Sequence, residues 1–137
     1  MPDPHKVIDV SAGFVFRNGR LLISQRRAQD HLGGLWEFPG GKRHEGESDE
    51  ECLRRELREE LDIEVEVGAL LETITHEYPG KVVCLKFFRC VWRRNEPRAI
   101  GCQNFAWVER EELSKYKFPE ADQRLLGRLM LEEGLWN

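Results

Sequence analysis

Residues Gly41 to Ile63 read GKRHEGESDEECLRRELREELDI, and the second half of that stretch has the periodicity of a helix. Ser48 followed by Glu51 makes a capping box, in which each side chain takes up a free amide of the first turn. Leu53, Leu57 and Leu61 recur every fourth residue and predict one buried stripe. Glu56, Glu59 and Glu60 fall at i, i+3 and i+4, so they share the side of the helix next to that stripe. Like charges four apart repel, and Glu56 with Glu60 is such a pair. Arg55 can reach Glu59 one turn on, which relieves part of the repulsion. A divalent cation would relieve the rest, because hard cations take carboxylate oxygens. The competing reading is a solvated charged face, which is what most glutamate-rich helices present. The surroundings argue for a site instead. Phe38-Pro39-Gly40-Gly41-Lys42 precedes the helix, and glycines let backbone groups approach a ligand closely. A further acid, Glu47, stands just before the cap. Acids, glycines and an arginine in this order point to a metal–phosphate site.

Working outward, Val7 to Phe16 is rich in β-branched and aromatic residues, and Leu21 to Ser24 resumes the pattern. Asn18-Gly19 between them predicts a hairpin, since both residues tolerate positive φ. Leu35 to Phe38 is a short apolar piece ending at Pro39-Gly40-Gly41, where a turn or loop is expected. Ile63 to Ile74 and Lys81 to Trp92 read as long strands joined at Tyr78-Pro79-Gly80. Phe105 to Val108 is a further strand and Glu109 to Lys115 a short helix. Ala121 to Glu133 is an amphipathic helix whose Leu125, Leu126, Leu129 and Met130 are assigned to the core. Strands on both sides of a central helix, with a second helix at the end, predict the α/β class: a mixed β-sheet sandwiched between helices. No repeat, low-complexity run or proline-rich linker divides the sequence, so residues 1–137 are read as a single domain.

The chain carries 21 Lys and Arg against 25 Asp and Glu, a net charge of -4. That balance disfavours a polymeric nucleic-acid partner held by phosphate neutralisation. It permits a phosphorylated small molecule, because a bound divalent cation supplies positive charge locally. Cys52, Cys84, Cys90 and Cys102 form no C-x-x-C pair and suit neither a zinc site nor a disulfide scaffold. They are expected to be free, buried or half-buried thiols in a reducing cytoplasm. Met1 to Val10 contains no apolar signal-peptide core, and no apolar run approaches the roughly 20 residues that span a bilayer. The expectation is a cytoplasmic protein without a membrane partner, monomer or homodimer.

Gly41-Lys42-Arg43-His44-Glu45-Gly46-Glu47, then seven residues, then Arg55-Glu56-Leu57-Arg58-Glu59-Glu60-Leu61-Asp62-Ile63, resembles the Nudix box. The family pattern is G-x5-E-x7-R-E-U-x-E-E-x-G-U, with U bulky and aliphatic. Only the final glycine departs, as Asp62, where the helix should end in a left-handed residue that Asp adopts at modest cost. The surrounding strands and the C-terminal helix fit the Nudix fold, so the resemblance covers nearly the whole chain. It implies that Glu56, Glu59 and Glu60 hold Mg²⁺ or Mn²⁺ with the carbonyl of Gly40. It also implies that Glu47 supports them and that Arg55 orients a glutamate through a salt bridge. The ions would bridge phosphate oxygens and bring a water into line for attack on phosphorus, so catalysis would rest on positioning and charge neutralisation. Many members place one more glutamate on the loop before the late strand, and here Gly101-Cys102-Gln103-Asn104 contains no acid. The base is then a glutamate of the box, or Glu96 reaching in from nearby.

Gln25-Arg26-Arg27, Leu35-Trp36-Glu37-Phe38-Pro39-Gly40-Gly41 and Lys117-Phe118-Pro119-Glu120-Ala121-Asp122 are together similar to the MutT branch of the family. That branch includes 8-oxo-dGTP diphosphatases and CTP pyrophosphohydrolases, which release a nucleoside monophosphate and pyrophosphate. The resemblance implies phosphate contacts from Arg27 or Arg26 and from Gly40, Gly41 and Lys42, with Phe38 lining the base pocket and Asp122 reading the base edge. MutT carries asparagine at the last position, which both donates and accepts, whereas an ionised Asp only accepts. Asp122 would favour an exocyclic amino group, as on cytosine N4 or adenine N6, or must be protonated to serve guanine O6. Asp122 reads equally well as a cap of the C-terminal helix. Trp36 reads equally as packing, and His31, His44 and His76 are left without a role. The expected activity is hydrolysis of a (d)NTP, 8-oxo-dGTP foremost, with CTP or dCTP, ADP-ribose and dinucleoside polyphosphates as alternatives. A non-catalytic Nudix-fold binding module, such as the base-reading domain of adenine glycosylases, shares the LWEFP of Leu35 to Pro39. Such modules typically lose the box glutamates that this chain keeps.

Overall fold

Asn18 and Gly19 both adopt positive φ, 49° and 76°, and close the expected tight hairpin. It joins β1 (Lys6–Arg17) to β2 (Arg20–Gln25), with Arg17 opposite Arg20. The computed structural model describes residues 6–137, so the first half of the Met1 to Val10 segment read for a signal peptide lies outside the described residues. β1 is the spine of the sheet. Along Lys6 to Phe16 it runs parallel to β6 (Lys81–Arg94), and β5 (Glu64–Tyr78) pairs antiparallel on the outer side of β6. On the other side, β2 pairs with β3 (Trp36–Glu37) and with β7 (Asn104–Val108). The sheet is therefore mixed.

Alternation along β1 and β2 sends Ala12, Phe14, Phe16, Leu21 and Ile23 to one face, and Val15 and Leu22 to the other. α1 (Asp49–Leu61) covers the second face through Leu53, Leu57 and Leu61, all fully buried. α2 (Gln123–Leu131) covers the first through Leu125 and Leu129. The mixed sheet between helices is as the sequence predicts. Among the described residues, no helix is long and apolar enough to cross a membrane, and all four cysteines are free.

Several boundaries differ from expectation, each for a physical reason. The glycine segment is a strand, β4 (Gly40–Lys42), antiparallel to Val10–Ala12 of β1. A Cβ on Gly40 would stand 2.0 Å from the carbonyl oxygen of Ser11, so only glycine lets the two backbones close to pairing distance. β5 continues past Ile74 to Tyr78, because Lys81–Leu85 of β6 carries the ladder to the Tyr78–Gly80 turn. The last helix begins only at Gln123, since Glu120–Asp122 winds as a 3-10 turn. The shorter helix buries a narrower stripe, which leaves Leu126 half-buried and Met130 38% exposed rather than in the core. Arg110–Lys115 is also a 3-10 turn.

Candidate active site

The capping box forms as predicted. Ser48 Oγ accepts from the Glu51 amide at 3.1 Å, and the Glu51 carboxylate accepts from the Ser48 amide at 2.9 Å. At the other end Asp62 takes φ 58°, and its amide donates to the Arg58 carbonyl. An aspartate thus closes the helix in the left-handed conformation that the family's glycine would occupy.

α1 is stitched to β4. The Cys52 thiol donates to the Gly41 carbonyl at 3.4 Å, and Arg55 Nη2 donates to the Lys42 carbonyl at 2.9 Å. The Glu56 carboxyl lies directly over Gly41, where an added Cβ would be 2.3 Å from Glu56 Cδ. Arg55 gathers the acids around it: its guanidinium meets Glu47 at 2.7 Å, Glu56 at 2.9 Å and Glu59 at 3.0 Å. Glu47 also accepts from the His44 amide at 2.7 Å. The hydrogen bonds from Arg55 and then from His44 hold the Glu47 carboxyl down at about 2. The hydrogen bond to Glu47 first, and then that to Glu56, raise the Arg55 guanidinium above its ordinary value.

Glu60 is different in kind. It is half-buried, and burial first, then the charges of Glu37 and Glu56, push its carboxyl up to about 8 against the opposing pull of Arg26. The segment before β7 folds over this end of the helix. The Glu60 carbonyl accepts from the amides of Ile100 at 3.1 Å and Gly101 at 3.0 Å. A Cβ on Gly101 would come within 3.0 Å of Glu60 Cγ.

Glu37 was missed by the sequence analysis as a site residue. It sits on β3, accepts from Arg26 Nη1 at 3.0 Å, and has its carboxyl raised by burial against the pull of Arg26. The available signal was a lone acid between Trp36 and Phe38 in an otherwise apolar piece.

Other expected residues are placed differently. Arg26 spends its guanidinium on Glu37 and on the His31 carbonyl at 2.6 Å, so it braces the β2–β3 connection rather than facing phosphate. Arg27 donates to the Ile100 carbonyl, on the segment that folds over the end of α1. Lys42 is exposed. Phe38 is a core residue, 6% exposed and packed on Phe14 and Phe118, so it does not present its ring as a pocket lining. Trp36 packs edge-on against Tyr116. Glu96 does not reach the site: both its oxygens accept from Arg17, far along β1 from Ser11, where β1 pairs with Gly41. Asp122 stands at the start of α2 with no side-chain capping bond, so the cap reading fails. It is half-buried, with its carboxyl raised by burial and partly restored by His76.

The three box glutamates are not drawn to one point. Among the described residues, no three His, Cys, Asp or Glu side chains stand together as a ready-made cation cage. Arg55 draws Glu59 to an exposed position, its side chain 55% accessible, while the Glu56 carboxyl lies over Gly41 and Glu60 feels the charges of Glu37 and Glu56. The donor chemistry nevertheless fits a hard divalent cation. Gly41 leaves the room that the Glu56 carboxyl fills, and Glu56, Glu60 and Glu37 concentrate negative charge beside the nearby Arg26. Charge, not concavity, marks this site. A cavity of about 790 Å³ opens instead between Leu32, Leu35, Tyr116, Phe118, Leu126 and Met130, and none of the carboxylates lines it.

Glu60 gives a pH dependence whose sign can be worked out. Its folded value, about 8, lies above the ordinary carboxyl value, so the folded chain binds this proton more tightly than the unfolded chain. The stability from Glu60 is fully present below the ordinary value and is lost as pH rises through about 8. Melting temperatures measured in chelator should therefore fall between about pH 5 and pH 8, and added Mg²⁺ should restore more stability at the upper end than at the lower. A flat or rising chelator series would contradict this account of Glu60.

Residues 11–128 match the model of the NUDIX domain. The chain is 38% identical over 125 residues to the CTP pyrophosphohydrolase of Escherichia coli (strain K12), covering 91% of this chain and 93% of that protein. It is 36% identical over 129 residues to the 8-oxo-dGTP diphosphatase of Haemophilus influenzae, covering 93% and 94%. The solution structure of the E. coli ORF135 protein matches the fold with a TM-score of 0.79 at 36% identity, over 93% of this chain and 91% of that one. The chain belongs to the Nudix family.

Proposed function

We propose that this Nudix hydrolase is a magnesium-dependent, MutT-like nucleoside triphosphate pyrophosphohydrolase, releasing a nucleoside monophosphate and pyrophosphate. It acts on phosphoanhydride bonds of a small-molecule nucleotide, in keeping with its Nudix domain and with relatives named 8-oxo-dGTP diphosphatase and CTP pyrophosphohydrolase. The observation that carries the site assignment is the Glu56 carboxyl seated over Gly41 of β4, with the half-buried Glu60 crowded by the charges of Glu37 and Glu56.

Nudix hydrolases in general depend on a divalent metal. Here Glu56 and Glu60, with Glu59 and the Gly40 carbonyl, would hold Mg²⁺, and Mn²⁺ in its place. When bound, the ion neutralises phosphate charge and activates water for attack on phosphorus. Arg55 fixes the rotamer of Glu56, and Glu47, kept ionised at about 2, keeps Arg55 in place. The proton from the attacking water would go to a carboxylate of the box, Glu60 among them. Gly41 and Lys42 bring backbone and a mobile ammonium to the phosphates, and Arg27 serves them from the rim. A cytoplasmic location, where nucleotide pools lie, belongs to the same proposal.

8-oxo-dGTP is the first substrate to test, as nucleotide-pool sanitation would require. A cytidine triphosphate is the second, favoured by Asp122: with its capping role gone, an ionised carboxylate offers only acceptors, which suits cytosine N4. Assay of 8-oxo-dGTP, dGTP, CTP, dCTP, ADP-ribose and dinucleoside polyphosphates with pyrophosphate detection ranks these. No preference for 8-oxo-dGTP over dGTP and CTP in kcat/KM would end the sanitising assignment, and no turnover of any nucleotide with Mg²⁺ or Mn²⁺ would end the hydrolase reading. Asp122→Asn should shift that ranking toward guanine nucleotides by about tenfold with a milder effect on kcat, the size expected when one base-edge hydrogen bond is gained or lost. An unchanged ranking would remove Asp122 from base recognition.

A further inference from the structure

Asp49, Cys52, Glu56 and Glu60 stand at i, i+3, i+7 and i+11, so at about 100° per residue they form one line along α1. Two of them tie that line to the sheet. The Cys52 thiol donates to the Gly41 carbonyl of β4, and Asp49 Oδ2 accepts from Lys86 Nζ of β6 at 2.7 Å. Lys86 is opposite Ser11 of β1, and Ser11 is opposite Gly41 of β4, so the three positions share a row on the face that α1 covers. Lys86 thus acts from two strands away, roughly 10 Å from Gly41. The ion pair is half-buried, its side chains 27% and 19% accessible. The other oxygen of Asp49 is buried and accepts no hydrogen bond among the described residues. The next cation, Arg43 Nη1, lies 4.0 Å from that oxygen, and the same guanidinium donates to Asp9 at 2.8 Å. Lys86 is therefore the close partner of this carboxylate.

We infer that Lys86 is a positioning residue for the carboxylates of α1: by binding Asp49 in the first turn it fixes the roll of the helix, and with it the placement of Glu56 and Glu60. The inference rests on those glutamates being the cation donors proposed above. Leu53, Leu57 and Leu61 hold α1 against the sheet, but apolar burial is non-directional and tolerates a small rotation about the helix axis. A hydrogen-bonded ion pair is directional and does not. With the Cys52 tie one turn further on, the pair fixes both the rotation of α1 and its position along β4. A roll of about 10° moves a group at the helix surface by roughly 1 Å, the size of misplacement that disables a positioned group. Without Lys86, the Asp49 carboxylate is left half-buried and unpaired. That state is costly enough to draw the first turn toward Arg43 or solvent.

The test is Lys86→Met, which keeps an unbranched stem and removes the ammonium. Mn²⁺ binding to the nucleotide-free protein, read from the electron paramagnetic resonance of free Mn²⁺ well below the melting temperature, should weaken about tenfold or more. At saturating Mg²⁺, kcat should fall by a similar factor, with the nucleotide KM within about twofold of the wild type. The sign of the Mn²⁺ change separates position from field. Deleting a positive charge near an acidic site would, by field alone, tighten cation binding, so weaker binding reads displaced carboxylates. Lys86→Arg, which returns a cation to Asp49, should recover most of both losses. Unchanged or tighter Mn²⁺ binding in folded Lys86→Met overturns the inference, and so does a loss that Lys86→Arg leaves unrepaired. A variant that loses only melting temperature makes Lys86 a structural residue and equally overturns it. Should Lys86→Met fail to fold, Lys86→Gln, which keeps a hydrogen-bond donor, is judged by the same readings. A wild type that binds Mn²⁺ yet hydrolyses no nucleotide would defeat the proposed function, while Mn²⁺ binding by the variants would still decide the role of Lys86.

Discussion

Glu60→Gln should lower kcat by about a thousandfold or more and at the same time raise the melting temperature of the protein in chelator. These opposite signs come from one cause. Glu60 is half-buried and crowded by Glu37 and Glu56, and its carboxyl is pushed up to about 8. Ionising it therefore costs the folded state, and the amide removes that cost while keeping the shape of the side chain. The same substitution removes an anionic oxygen donor that the proposed site needs for its cation, so the reaction loses what the fold gains. This is the stability–activity exchange expected where a site is held under electrostatic strain. Steady-state rates at saturating Mg²⁺, with melts in chelator near pH 8, read both effects. The chelator melts of the variant should also lose most of the decline between about pH 5 and pH 8 described for the wild type. A variant with unchanged kcat would take Glu60 out of the machinery, whatever its stability.

Local chemistry was legible in the sequence wherever it depended on near neighbours. The Ser48–Glu51 box, the Asn18-Gly19 turn and the Leu53, Leu57, Leu61 stripe each encode their geometry within a few residues, and each is found. The acids of α1 were legible for the same reason, because helical spacing fixes which side chains share a side. Long-range placements were not. Glu37 joins the site only because β3 pairs with β2 and faces the end of α1, which no periodicity announces. Phe38 looked available as a pocket lining, yet the aromatic cluster of Phe14, Phe87 and Phe118 claims it. Glu96 was near the missing loop acid in sequence, and Arg17 holds it elsewhere. Asp122 had two readings because both are properties of a helix start, and only the three-dimensional winding of Glu120–Asp122 leaves its side chain without the capping bond.

Gly40 and Gly41 are adjacent, and replacing each by alanine should give sharply different failures. A Cβ at Gly40 would stand 2.0 Å from the Ser11 carbonyl oxygen and 2.6 Å from the Ala12 Cα, both backbone of the central strand. Neither can move without opening the β1–β4 pairing, so Gly40→Ala should destabilise the fold by about 3 kcal/mol or more and lose activity with it. A Cβ at Gly41 instead meets the Glu56 carboxyl first, at 2.3 Å from Cδ and 2.4 Å from Oε2. That carboxyl is the far end of a flexible side chain and can swing aside at little cost to stability. The swing takes it from the position against β4 and from the 2.9 Å bond to Arg55. Gly41→Ala should therefore melt within a few degrees of the wild type yet lose about a hundredfold or more in kcat, since a misplacement near 1 Å in a positioned group has that effect. Melting temperature and kcat measured together on the two variants separate a glycine needed by the sheet from one needed by the site. Should Gly41→Ala keep full activity, Glu56 does not act from where it lies, and the assignment of α1 and β4 as the two halves of the catalytic site would fall.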